Sequence, residues 1–179
     1  MRRFSPKTPE NHRKSGVLLL FYPQMGKSFF PLIKRPVYPG VHSGQVALPG
    51  GKFEPGDPDV IFTALREAEE EIGIDAGKVE VLGRLSDLYI PTSNFLVSPV
   101  VGFIEESPRF VPEEKEVSRI ITTGVQTIFQ QEIIKRTHLE LGGGVRLETP
   151  YFDIDGEIVW GATAMILSEL RDLLEEKKG

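Results

Sequence analysis

An α+β fold, with helices packed on a sheet in a sandwich-like arrangement, is what this sequence predicts, on three observations. Runs of β-forming residues recur along most of the chain, in mixed order with helical segments. Strong helical periodicity marks two stretches, residues 59–72 and 162–176. A length of 179 residues with 40% hydrophobic content supports one compact core, because domains of this size bury about 70% of the surface their unfolded chains expose.

Taken in order, residues 1–14 hold Arg2, Arg3, Lys7, Arg13 and Lys14 against the single acid Glu10, with two prolines. This predicts a flexible basic arm, and residues 15–179 a single domain. Two β-rich runs, 16–22 and 28–34, flank Pro23-Gln24-Met25-Gly26-Lys27 and predict a hairpin. A helix follows over 57–73, with Asp57 as its cap, Pro58 at its first position and Gly73 ending it. Further β-type runs cover 79–88, 96–104 and 117–122, and a short helix is expected at 125–134. Residues 139–141 and 145–152 form a second hairpin about Gly142-Gly143-Gly144, and an amphipathic helix from about Ala162 to Glu176 closes the chain.

Composition narrows the function. Lys and Arg total 21 against 26 Asp and Glu, a net charge of −5, which argues against a nucleic-acid partner. With no Cys, thiolate metal sites and cysteine nucleophiles are excluded, and the three His (His12, His42, His138) lack the pairing that zinc enzymes use. No apolar run approaches the roughly 18 to 20 residues that span a bilayer, so no membrane partner is expected and the cytoplasm is the default location.

On a helical wheel Ile61, Ala64, Leu65, Ala68 and Ile72 form the core stripe, and Glu67, Glu70 and Glu71 share an adjoining arc. Glu69 points elsewhere. Carboxylates so close repel one another, and a hard divalent cation such as magnesium would neutralise them. The plain alternative is a solvated acidic face. The preceding loop, Leu48-Pro49-Gly50-Gly51-Lys52, allows Gly50 and Gly51 to bring backbone close to an ion or a phosphate. Arg66, four residues before Glu70, is placed to hold a carboxylate in position.

These residues resemble the Nudix hydrolase signature. Gly51 and the run Arg66-Glu67-Ala68-Glu69-Glu70-Glu71-Ile72-Gly73-Ile74 match it, with Asp57 in place of the usual Glu and eight residues rather than seven between it and Arg66. Both departures recur in the coenzyme A pyrophosphatase-like branch. Leu32, Arg35, Gly44, Val46, Pro49, Gly50 and Gly51 also agree with that branch's upstream motif, whereas Ile33, Pro36, Gly40 and Leu48 depart from it. Pro91-Thr92-Ser93, Val97-Ser98-Pro99-Val100-Val101-Gly102 and Trp160-Gly161-Ala162-Thr163-Ala164 look like the branch too.

The resemblance implies an α/β/α sandwich with a mixed central sheet that hydrolyses a diphosphate linkage with Mg2+ or Mn2+. Coenzyme A or a CoA ester is the implied small-molecule substrate; ADP-ribose, dinucleotides or nucleoside triphosphates are the alternative. A module that binds nucleotides without turnover is a further alternative, though all three box carboxylates are kept. Gly50, Glu67, Glu70 and Glu71 are the expected metal ligands. The base that accepts a proton from water is one of those three acids or a loop acid among Glu113, Glu114 and Glu116, with Glu116 favoured of the loop acids. Arg35 either reaches a substrate phosphate, alongside Gly50 and Gly51, or forms a surface ion pair. A homodimer is left open.

Three other features are read as structural. Gly26-Lys27-Ser28 imitates the end of a phosphate-binding loop, but residue 21 is Phe where that motif needs Gly. His42 is expected to be structural, and Trp160 to lie in the core.

Overall fold

In the computed structural model, residues 7–39, 42–141 and 145–176 are described. Residues 1–6 of the expected basic arm, Gly40, Val41, the expected turn at Gly142–Gly144 and residues 177–179 lie outside the described residues.

Strands β1 (Arg13–Gln24) and β2 (Lys27–Lys34) form the expected hairpin. Met25 and Gly26 both take positive φ, 50° and 72°, the two-residue turn whose twist matches antiparallel strands. β1 also pairs in parallel with β7 (Phe95–Phe103), from Arg13 opposite Phe95 to Phe21 opposite Phe103. The other ladders of this sheet are antiparallel, so it is mixed. β3 (Val46–Ala47) pairs β2, β4 (Gly50–Lys52) pairs β1, and β5 (Glu80–Arg84) and β6 (Leu88–Ile90) pair β7. β8 (Arg119–Gly124) runs along β2. A smaller antiparallel sheet contains β9 (Ile134–Leu141), β10 (Val145–Ile154) and β11 (Glu157–Val159).

Leu18, Leu19 and Leu20 are all fully buried, as a strand covered on both faces requires. Leu18, Leu20 and Tyr22 pack with Ala64, Ala68 and Ile72 of helix α1 (Val60–Ile72). Leu19 packs on the opposite face with Phe30, Phe152, Ala164 and Leu167, the last two from helix α2 (Gly161–Glu176). The two clusters make the α/β/α sandwich, and β1 is its centre.

Several local expectations are corrected. α1 starts at Val60, capped by Asp59, whose carboxylate accepts from the Phe62 N–H at 2.8 Å. Asp57 is not the cap, because its carboxylate is taken up by Arg66 and Thr63. Gly73 does end the helix, in a left-handed conformation with its N–H on the Glu69 carbonyl. The short helix expected at 125–134 is two 3-10 turns, Val125–Phe129 and Gln131–Ile133, followed by β9. The β run at 79–88 is split into β5 and β6, and β5 carries a register shift between Val81 and Gly83. Trp160 is half-buried and belongs to neither cluster, since it stands just before the left-handed turn at Gly161 that opens α2.

Candidate functional site

The site grows from the contact between β4 and α1. A Cβ on Gly50, whose φ is 148°, would lie 2.4 Å from the Gly16 carbonyl oxygen of β1. A Cβ on Gly51 would lie 2.3 Å from the Glu67 carboxylate. Gly50 therefore excludes a side chain, and one at Gly51 would displace the Glu67 carboxylate; the two glycines let the backbone press between β1 and the acidic face of the helix.

The three carboxylates differ sharply in exposure. Glu71 is only 1% exposed and accepts from the Gly50 N–H at 2.7 Å. Glu67 is half-buried against Gly51, and the Glu70 side chain is 59% exposed. Glu69 points away as expected, accepting from the Ala76 N–H at 3.2 Å. A wholly solvated acidic face does not describe this helix.

Arg66 organises the group. Its Nη1 donates to Glu70 and its Nη2 to Glu67, each at 3.0 Å, while Nε and Nη2 both donate to Asp57 at 3.1 Å. Asp57 is buried and also accepts from the Thr63 hydroxyl at 2.8 Å and the Glu54 N–H at 3.0 Å. These bonds, Arg66 foremost, hold the Asp57 carboxyl down at about 2 despite its burial. Arg66 is in turn held more firmly protonated, chiefly by its bonds to Asp57.

Sequence reasoning gave Asp57 the wrong task and missed Thr63. The usable signal was already present, for Asp57 occupies the position of the signature's first acid.

Arg35 reaches in from the end of β2, with Nη2 3.5 Å from Glu71 and 3.4 Å from the Gly50 carbonyl. Its side chain is partly exposed, so it forms the ion pair and still faces solvent.

Glu116 lies in an exposed loop that docks on the end of α1. There Val111 N–H donates to the Ile72 carbonyl at 2.9 Å and Glu113 N–H to the Glu71 carbonyl at 3.0 Å. The Glu116 charge acts on both Glu67 and Glu71. Glu113 and Glu114 are exposed in the same loop. His42 sits in its own turn, its Nδ1 3.0 Å from the Gln45 side-chain oxygen.

Burial is the largest cause raising Glu67, opposed by Arg66. It also pushes Glu71 up to about 7, against the pull of the Gly50 N–H and Arg35. The folded chain thus holds a proton on Glu71 that the unfolded chain releases near 4.5. That contribution to stability is complete below the unfolded value and is lost as pH rises through about 7. In chelator, the melting temperature is expected to carry a falling component between about pH 5 and 7.5, and Glu71→Gln to remove it. Thermal melts of both proteins across that range check this.

Among the described residues no three His, Asp or Glu converge as a preformed metal cage. Each carboxylate instead takes a donor from the protein: Arg66 for Glu67 and Glu70, Gly50 N–H and Arg35 for Glu71. The donor set still fits a hard cation, because it is entirely oxygen and clustered acids outnumber the arginines.

Residues 12–132 match the family model described as NUDIX domain. The chain is 38% identical over 131 residues to an uncharacterized Nudix hydrolase, NudL, of Yersinia enterocolitica, covering 72% of this chain and 65% of that protein. It is 35% identical over 136 residues to the human mitochondrial coenzyme A diphosphatase NUDT8, covering 75% of this chain and 58% of that protein. The matches thus span less than two thirds of either relative. The crystal structure of the Nudix hydrolase RenU from M. smegmatis shares the fold, with a TM-score of 0.64 at 16% identity over 92% of this chain and 87% of that one.

Proposed function

The chain belongs to the Nudix family, and from that premise we propose that it hydrolyses the diphosphate linkage of a nucleoside diphosphate derivative, coenzyme A or a CoA ester foremost. The observation that carries this reading is the set Glu67, Glu70 and Glu71, gathered beside Gly50–Gly51 and braced by Arg66. Bound by Glu67, Glu70, Glu71 and the Gly50 carbonyl, Mg2+ or Mn2+ would neutralise diphosphate charge and lower the pKa of water.

The chain's own residues supply the rest. Arg66 orients Glu67 and Glu70, and Asp57 orients Arg66. Glu116, exposed and facing the same charges, is the proposed acceptor of the water's proton. Arg35, with donors left facing solvent, is the proposed clamp on a phosphate oxygen, and Gly50 and Gly51 admit that phosphate to the backbone.

Two findings support coenzyme A as the substrate: the upstream run from Leu32 to Gly51, and the likeness to a relative named as a coenzyme A diphosphatase. No helix among the described residues is long and apolar enough to cross a membrane.

The test is a panel of coenzyme A, ADP-ribose, dinucleotides and nucleoside triphosphates, each assayed with Mg2+ and with Mn2+. Coenzyme A is expected to be cleaved with the highest kcat/KM. Faster cleavage of another diphosphate would remove the coenzyme A assignment and leave the reaction class standing. No cleavage of any compound would remove both.

A further inference from the structure

Apart from the carboxylate site, a cavity of about 530 Å3 lies between the base of the β9–β10 hairpin and α2. Its apolar surface comes from Ile134, Pro150 and Phe152, and its charged surface from Lys135, Arg136 and Arg171, with no carboxylate in the lining. In a chain of net charge −5, three cations around one cavity run against the overall balance.

Their present partners lie outside the lining and differ in strength. Lys135 is tied to Asp153. Arg136 pairs with Glu148 at 3.2 Å, both side chains more than half exposed. Arg171 reaches Asp172 at a long 3.5 Å. An exposed pair such as Arg136–Glu148 contributes roughly 0 to 1 kcal/mol, so Arg136 can exchange partners at little cost, and the long contact to Asp172 holds Arg171 only loosely.

Arg171 is the distinctive member. Its side chain is 14% exposed, and its Nε is buried with no acceptor. Desolvating a guanidinium without satisfying its donors is unfavourable, and an anion on its remaining donors would offset that.

The geometry points to a binding site for a small amphipathic anion, with a carboxylate or phosphate head on Arg171 and Arg136 and an apolar body on Phe152, Ile134 and Pro150. The volume lies within the range typical of small-molecule pockets, about 300 to 1,000 Å3. Charge-assisted bonds to the guanidinium fork fix the head, and contact with the apolar wall adds affinity that a bare inorganic anion cannot gain. Because this site shares no residue with the carboxylate cluster, it stands or falls independently of the diphosphatase reading.

Isothermal titration of the metal-free full chain with octanoate, phenyl phosphate and inorganic phosphate tests it. At least one amphipathic probe is expected to bind at one site, roughly tenfold or more tighter than inorganic phosphate; which one binds better identifies the head group. Arg171→Gln is expected to weaken that binding at least about tenfold. Arg171→Lys, which keeps the charge and the apolar stem, should also weaken it, since the fork is lost. Arg136→Gln, at an exposed strand position, should weaken it several-fold, and Arg35→Gln should leave it unchanged. The proposal is overturned by any of three results: no binding of either amphipathic probe, unchanged affinity in the Arg171 variants, or loss of binding in Arg35→Gln.

Discussion

Glu70→Gln is expected to lower diphosphate hydrolysis with Mg2+ or Mn2+ by roughly a thousandfold while leaving the metal-free melting temperature almost unchanged. The two halves of this outcome have different causes. Glu70 is the most exposed acid of the cluster, and its bond to Arg66 is an i,i+4 surface pair, a class worth about 0.3 to 0.5 kcal/mol. A neutral amide still accepts from Arg66 and no longer repels Glu67, so stability barely moves. Activity is another matter. Removing a carboxylate from a set proposed to hold a divalent cation should forfeit several kcal/mol of charge stabilisation, and each 1.4 kcal/mol is a factor of ten in rate. Steady-state kinetics beside thermal melts in chelator check both halves. Unaltered turnover in the variant would show that these acids do not hold the metal.

Much of the architecture was legible because it rests on periodicities that local sequence carries. The two β-rich runs on either side of Pro23-Gln24-Met25-Gly26-Lys27 predicted the hairpin, and the Ala64, Ala68 and Ile72 stripe predicted which face of α1 meets the sheet. The site was legible as a set of acids but not as a graded one. A wheel places Glu71 at the margin of the apolar stripe, and only the approach of β4 turns that margin into a buried pocket closed by the Gly50 N–H. That approach is a long-range event which no window around Glu71 contains. Asp57 shows the same limit from the other side. Locally it reads as a cap before Pro58, yet tertiary partners nine and six residues away claim its carboxylate and leave the capping to Asp59. The 3-10 turns at 125–133 fall where a short apolar run suits several backbone states, and packing against the core at Ile128 selects among them.

Asp57→Ala is expected to be the most destabilising single change in this region, at about 3 kcal/mol, or roughly 6 to 12 °C in melting temperature for a domain of this size. The carboxylate is buried and accepts four bonds, from Arg66 Nε and Nη2, the Thr63 hydroxyl and the Glu54 N–H. Truncation leaves the half-buried Arg66 with Glu67, Glu70 and the Lys52 carbonyl, and without the partner that fixes its plane. Catalysis should therefore fall as well, because Glu67 and Glu70 lose their orientation. Asp57→Glu, the acid usual in the family signature, should not restore the wild-type protein. An extra methylene in a buried, fully bonded position is an overpacking change of about 1 to 3 kcal/mol. The pH dependence gives an independent check. Because the folded carboxyl is held near 2, below its ordinary 3.8, its stabilising contribution is present above pH 4 and is lost as pH falls from about 4 to 2. Acid denaturation of the wild type should therefore carry a component in that window which Asp57→Ala lacks, well separated from the opposite trend that Glu71 sets between its unfolded 4.5 and about 7. A variant that melts within about 2 °C of wild type at pH 7, a shift corresponding to under 1 kcal/mol, would mean that Arg66 holds the carboxylates without help from Asp57.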